Sequence, residues 1–223
     1  MAVENWVSKE VAALTEFRRD LHRKHELLYE VTRTAGSVAE ALRAAGVDEG
    51  HAGIGRTGVV GVIRGQSDRS GRMIGLRADM DALPIAEETG AAWASTVPGK
   101  MHACGHDGHT TMLLGAAKHL AESRAFDGTV IVIFQPAEEG GAGAKAMLDD
   151  GLFRRWPVAE VYGMHNRPNL PVGQFTIAPG PIMGSVDEIR ITITGRGGHA
   201  ARPDQTIDPI VVSSALIQAI QSV

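Results

Sequence analysis

The chain has 223 residues, of which 43% are hydrophobic, and this is enough for one large domain or for one domain and part of another. Its net charge of −4 and its aromatic content of only 4% argue against the basic, base-stacking surfaces of nucleic-acid-binding proteins. A single cysteine excludes an internal disulfide, and neither a signal-peptide pattern nor an apolar run long enough to span a membrane is present, so we expect a soluble cytoplasmic protein.

The first part of the chain is predicted to be helical. Apolar residues recur at three- and four-residue spacing over residues 4–24, which predicts an amphipathic helix, and a second helix is predicted over residues 34–45. His22 and His25 lie near the end of the first helix and are interpreted as surface or packing residues. The glycine-rich residues 51–58 are predicted to be a loop.

Two strands are predicted next, over Val59–Arg64 and Arg72–Ala78, and the turn-like residues between them favour a hairpin. The second strand leads into Asp79 and Asp81, whose spacing of two places both carboxylates on the same side of an extended segment. Paired acids at a strand end are typical of a site in an α/β protein, with a solvated strand end as the alternative.

The segment Met101–His109 contains three of the nine histidines and the single cysteine, at the point where a loop enters a helix predicted over residues 110–122. Cysteine thiolate and neutral imidazole are the usual protein ligands of zinc-like cations. Cys104 and His106 are therefore candidate metal ligands. A nucleophilic Cys–His pair is the competing interpretation.

Residues 128–134 are nearly all apolar, which predicts a strand covered on both faces. Glu138 and Glu139 follow it directly. Metal-dependent hydrolysis needs one carboxylate that holds the cation and another that is free to take a proton from water, and an adjacent pair can do both. A charged loop is the alternative. A further strand over residues 161–166 ends in His165.

The alternation of helices with buried strands, including a short helix over residues 142–150, indicates an α/β fold with a largely parallel sheet. The pattern changes near Gly184. Residues 185–194 alternate strictly between apolar and polar, as in a half-exposed antiparallel strand, and a helix is predicted over residues 208–223. We therefore predict one domain over residues 1–184 and the start of a second over residues 185–223.

Five motifs resemble, in their order along the chain, those of the aminoacylase and carboxypeptidase-type dinuclear metallohydrolases. Within that superfamily, the chain resembles the amidohydrolase branch that includes hippurate hydrolase and indole-acetyl-amino-acid hydrolases. They are Gly75–Pro84, Met101–His109, Gln135–Gly141, Met164–Asn166 and Gly195–Pro203. The resemblance implies a zinc-peptidase-like αβα sandwich followed by the beginning of an inserted α+β lid or dimerisation domain. One departure is His25, where relatives have the proline of a His-Pro-Glu-Leu turn. The other is that family members continue past residue 223 and supply a last metal-binding histidine there, so the chain is expected to be an N-terminal fragment.

The resemblance also implies the cofactors, the assembly and the role of each site residue. Two divalent ions per subunit are expected, either zinc, manganese, nickel or cobalt, in a homodimer or tetramer. The implied metal ligands are Cys104, His106, Glu139 and His165, the general base and acid is Glu138, the residue that orients the site is Asp81, and the residue that the lid presents to the substrate is His199.

The function that the resemblance implies is metal-dependent hydrolysis of the amide bond of N-acyl amino acids, such as hippurate-like conjugates, to a carboxylic acid and a free amino acid. A dipeptidase or carboxypeptidase of the same superfamily is one alternative. A catalytically incomplete interaction fragment is the other. No nucleic-acid or membrane partner is expected.

Overall fold

The computed structural model describes residues 3–222, and the chain divides into two compact units, Met1–Asn169 and Leu170–Val223. The division lies N-terminal to the boundary predicted near Gly184. The assignment of residues 1–184 to a catalytic domain and of residues 185–223 to a lid therefore stays a prediction.

The first unit contains most of the regular structure. Among the described residues, no helix is both long enough and apolar enough to cross a membrane. The helices are α1 (Val3–Arg23), α2 (Thr32–Ala44), α3 (His106–Ser123), α4 (Gly143–Asp149), α5 (Leu152–Arg155) and, in the second unit, α6 (Pro209–Ile220), with short 3-10 turns at Leu28–Glu30 and Pro203–Gln205. The strands are β1 (Glu49–Ile54), β2 (Gly58–Arg64), β3 (Met73–Asp79), β4 (Thr129–Gln135) and β5 (Glu160–Gly163).

The five strands form one sheet in the order β1-β2-β4-β3-β5. Strand β2 is antiparallel to both β1 and β4, whereas β3 is parallel to both β4 and β5, so the predicted largely parallel sheet is in fact mixed. The predicted hairpin of β2 and β3 is wrong, because β4 lies between them. The predicted loop at residues 51–58 is also wrong in its first half, where β1 pairs with β2.

Strand β4 occupies the centre of the sheet because its apolar run can be buried on both faces, as predicted. Val132 and Phe134 belong to a core that includes residues of α2 and α3, whereas Ile131 and Ile133 belong to a second core on the opposite face with Met147 of α4. Burial of such side chains stabilises the fold by about 1.5–3 kcal/mol each. The first unit is therefore the αβα sandwich that the resemblance implied.

In the second unit, α6 begins as predicted. The Asp208 side chain accepts a hydrogen bond from the backbone N–H of Ile210, and Pro209 fills the first helical position. The helix extends to Ile220, and Val223, the last residue of the predicted helix, lies outside the described residues. The strand predicted over residues 185–194 is absent from the described structure, where these residues form no ladder with a neighbour.

Candidate metal centre

The carboxyl ends of β3, β4 and β5 meet at one edge of the sheet because the three strands are parallel. Asp79 at the end of β3 is in register with Gln135 at the end of β4, and Arg77 is in register with Gly163 at the end of β5. The segments that leave these strands carry the candidate residues Asp81, Glu138, Glu139 and His165. The topology thus brings together side chains that are far apart in the sequence.

A fourth segment reaches the same edge from the motif before α3. The backbone N–H and C=O of Leu83 and Met101 pair with each other, which places the loop after Met101 beside Asp81. Gly105 then turns the chain at φ +98°, a left-handed conformation that favours glycine, and α3 starts at the next residue. This tight turn lies between Cys104 and His106.

His106 is fully buried and has one ring nitrogen without a partner. Its Nδ1 lies 2.7 Å from the backbone oxygen of Asp81, to which it donates. Its Nε2 has no hydrogen-bond partner among the described residues, and it faces the carboxylates of Glu138 and Glu139 at 3.9 and 3.8 Å. A buried ring nitrogen without a partner costs free energy, which a bound cation removes.

Cys104 and His165 form the other side of this arrangement. The Cys104 Sγ lies 3.4 Å from His165 Nε2, and His165 Nδ1 lies 2.7 Å from the backbone oxygen of Asn166. In both His106 and His165, Nδ1 thus donates to a backbone carbonyl, which leaves Nε2 as the atom available to a cation, the orientation typical of ligating histidines. The ligand atoms of Cys104, His106 and His165 lie within 4.8 Å of one another, and so do those of His106, Glu138 and Glu139.

Asp81 holds the turn that carries the two glutamates. Its carboxylate is fully buried. One oxygen accepts the backbone N–H of Glu138 at 2.9 Å and the other accepts that of Glu139 at 3.1 Å. Asp81 therefore contacts the glutamate turn through its side chain and His106 through its backbone oxygen. Its carboxylate oxygens are not among the clustered ligand atoms.

The charges around Cys104 do not suit a nucleophile. Burial and the negative charge of Glu139 raise the pKa of the Cys104 thiol to about 12. A nucleophilic cysteine needs a lowered pKa, usually from a neighbouring cation or a helix N-terminus. Burial and the charge of Glu138 likewise raise the pKa of Glu139 against the opposing effect of His106. One thiol and several crowded carboxylates are a donor set that a divalent cation stabilises.

Asp79 and His109 also lie at this edge. The sequence singled out Asp79 as one of two paired acids and His109 as part of the motif Met101–His109, but it assigned a role to neither. Asp79 and His109 can be grouped with His106 as a third cation cluster. However, Asp79 already accepts hydrogen bonds from His109 Nδ1 at 2.7 Å and from Arg77 at 2.8 Å. Burial raises the pKa of Asp79, but these contacts outweigh burial and lower the pKa to about 2. Because their ligand atoms are already engaged, they fit a supporting role better than a ligand role.

His22 and His25 are buried, with 4% and 2% of their surface exposed, so the interpretation of them as surface residues is wrong and packing is right. His22 Nδ1 lies 2.8 Å from Asp107, which also receives Arg18 at 2.7 Å. These contacts attach α1 to the start of α3. Although burial opposes it, the bond to Asp107 raises the pKa of His22.

His199 lies in the second unit. Its side chain is exposed, and its Nδ1 accepts the backbone N–H of Ala201 at 3.1 Å. Its predicted contact with a substrate stays a prediction.

The order of these residues matches a known family. Residues 75–223 match the model of "Peptidase family M20/M25/M40", and this match covers more than half of the chain. The chain belongs to this family. The membership confirms the family that the five motifs suggested, and the αβα fold agrees with it.

Individual relatives of this peptidase family cover nearly all of the chain. The chain is 47% identical over 209 residues to a hippurate hydrolase from Campylobacter jejuni, and the match covers 93% of this chain and 53% of the relative. It is 42% identical over 225 residues to a thermostable carboxypeptidase from Saccharolobus solfataricus, covering 99% and 54% respectively. The chain therefore spans about half the length of these curated relatives.

A solved structure supports the same assignment. The crystal structure of a dinuclear metal-binding peptidase of the M20 family from Bacillus subtilis has a TM-score of 0.68 and 44% sequence identity, covering 73% of this chain and 45% of that chain. The fold and the family are therefore shared with a protein described as binding two metal ions.

Proposed function

We propose that the protein to which this chain belongs hydrolyses the amide bond of N-acyl amino acids, with hippurate-like conjugates as the substrate class. The observation that carries the proposal is the buried, unpartnered Nε2 of His106, which faces Glu138 and Glu139 at 3.9 and 3.8 Å. The similarity to a hippurate hydrolase over 93% of the chain supports the substrate class.

The residues that would hold two divalent ions are Cys104, His106, Glu139 and His165. His106 belongs to all three clusters of ligand atoms among the described residues. Zinc, manganese, nickel or cobalt suits this mixed set of sulfur, nitrogen and oxygen donors. Such ions, when bound, lower the pKa of water and polarise a carbonyl group.

Glu138 is the group that moves the proton. Its side chain is 39% exposed, whereas that of Glu139 is 22% exposed, so Glu138 is the more accessible of the pair. Glu138 accepts a proton from the water that attacks the carbonyl carbon and then delivers it to the leaving amine. Asp81 keeps both glutamates in place through their backbone amides. The carboxylic acid and the free amino acid leave as products.

We also propose that the complete protein is a homodimer or tetramer in which His199 of one subunit donates to the developing oxyanion in another. Subunits that carry Glu138→Gln and subunits that carry His199→Gln should each be inactive alone. When they are mixed and allowed to exchange, part of the activity should return. Mixtures as inactive as their components contradict the shared site.

The alternative is cleavage of a peptide bond by a carboxypeptidase or dipeptidase, which the similarity to a thermostable carboxypeptidase favours. Both functions use the same centre, and only the group on the acyl side differs. Rates on benzoyl-, acetyl- and aminoacyl-amino acids, measured before and after removal of metal by a chelator, separate the two. Activity on the aminoacyl substrates alone favours the alternative, and activity that survives metal removal contradicts both.

A further inference from the structure

The ligand that is least supported by packing is His165. It follows β5, an edge strand that pairs only with β3, and its side chain is exposed. An exposed side chain after an edge strand has many accessible orientations, yet the His165 Nε2 lies 3.4 Å from Cys104 Sγ. Contacts from a segment other than β5 are therefore needed to fix the position of His165.

The contacts that anchor the segment pass through His109 on α3. The ring of His109 lies 4.5 Å from that of His165, centroid to centroid. Its Nε2 lies 3.1 Å from the backbone nitrogen and 2.6 Å from the side-chain Oδ1 of Asn166, the residue after His165. Nε2 makes one of these two hydrogen bonds at a time: as a lone pair it accepts the backbone N–H of Asn166, and as an N–H it donates to Oδ1. Either bond ties Asn166 to α3.

His109 is itself held from the opposite side. Its Nδ1 lies 2.7 Å from Asp79 Oδ1, and the other oxygen of Asp79 accepts Arg77 at 2.8 Å. Asp79 and His109 are 1% and 3% exposed. The chain of contacts therefore runs from the end of β3, through a buried imidazole on α3, to the segment after β5.

Asn166 also contacts the loop that carries the other ligands. A Cβ atom at Gly105 would lie 2.6 Å from Asn166 Oδ1, so the amide packs directly on the glycine between Cys104 and His106. One side chain thus touches the segments of three candidate ligands.

We propose that Asp79, His109 and Asn166 form a clamp that positions His165 opposite Cys104. This inference rests on the proposed function, because it takes His165 as a cation ligand. His109 acts as a positioning residue and not as a ligand, since both of its ring nitrogens are engaged. Partners of this kind change metal affinity by about 10–100-fold when they are removed.

The test measures Co²⁺ binding to the 223-residue chain, with the absorption of the cobalt–thiolate bond as the readout for Cys104. The variants are His109→Gln, Asn166→Ala and His165→Ala, and His119→Gln is the matched control, because His119 is a histidine on the same helix but remote from the centre. Asn166→Ala leaves the buried Asp79–His109 pair in place, so it tests the clamp even where His109→Gln disturbs folding.

His109→Gln and Asn166→Ala should each weaken Co²⁺ binding by about 10–100-fold, and the control should bind like the wild type. In the His165→Ala background, neither substitution should weaken binding further, because the ligand that the clamp positions is already absent. A merely structural role predicts equal losses in both backgrounds, and that result overturns the proposal, as does wild-type affinity in Asn166→Ala. A complete protein that binds Co²⁺ but does not hydrolyse N-acyl amino acids overturns the proposed function and leaves the clamp standing, whereas a wild type that binds no Co²⁺ overturns both.

Discussion

Replacement of Asp81 by asparagine should loosen the glutamate turn without a large change in side-chain volume. The buried carboxylate accepts the N–H groups of Glu138 and Glu139 at 2.9 and 3.1 Å, and an amide can accept only one of them, because its NH₂ group is a donor. Loss of one charge-assisted hydrogen bond in a buried site should lower the free energy of unfolding by about 1.5–3 kcal/mol. Co²⁺ affinity should fall by about 10–100-fold, because Glu139 is no longer held in place.

Asp127→Asn provides the matched control. Asp127 accepts two consecutive backbone N–H groups, those of Arg69 and Ser70 at 3.0 and 2.9 Å, but it does so on the exposed surface away from the centre. Urea denaturation and Co²⁺ titration of both variants separate the two effects. The control should be destabilised less, because water replaces the lost bond, and it should bind Co²⁺ normally. Wild-type Co²⁺ affinity in Asp81→Asn would refute the orienting role of Asp81.

Three further predictions concern the base, a buried histidine and the tight turn. Glu138→Gln should lower turnover by about 10²–10⁴-fold with normal metal content, whereas Glu139→Gln should lose metal, and metal analysis showing the reverse contradicts the assignment. The pKa of His22 is raised above its unfolded value, so its stabilising effect should be complete below about pH 6.5 and disappear as the pH rises through the folded pKa. Urea denaturation of His22→Gln and wild type should therefore differ most at low pH, and a pH-independent difference argues against this. Gly105→Ala should lower the free energy of unfolding by about 1–2 kcal/mol, because alanine is strained in the left-handed conformation, and it should weaken Co²⁺ binding through the clash with Asn166. Gly90 also has a left-handed backbone, at φ +66°, but has open space around it, so Gly90→Ala should show no loss of Co²⁺ binding.

The sequence by itself determined the elements with strong local patterns and the group of candidate residues. The apolar run of β4 predicted burial on both faces, which the two cores confirm. Asp208 and Pro209 predicted the start of α6. The positions of Glu138, Glu139 and His165 at the ends of predicted strands marked them as candidate site residues. In each case a local signal, such as periodicity, a helix cap or the position after a strand, is sufficient.

The tertiary structure alone decided which strands are neighbours and which histidines have free nitrogens. Local periodicity does not encode pairing partners, so the insertion of β4 between β2 and β3 was missed, and residues 185–194 alternate like a strand but find no partner in the described structure. His106 and His109 lie one helical turn apart and are the same residue type. They differ because the nitrogens of His109 are engaged by Asp79 and Asn166, which are remote in sequence, whereas Nε2 of His106 is left without a partner. The role of an imidazole depends on what surrounds each nitrogen, and only the folded chain sets those surroundings.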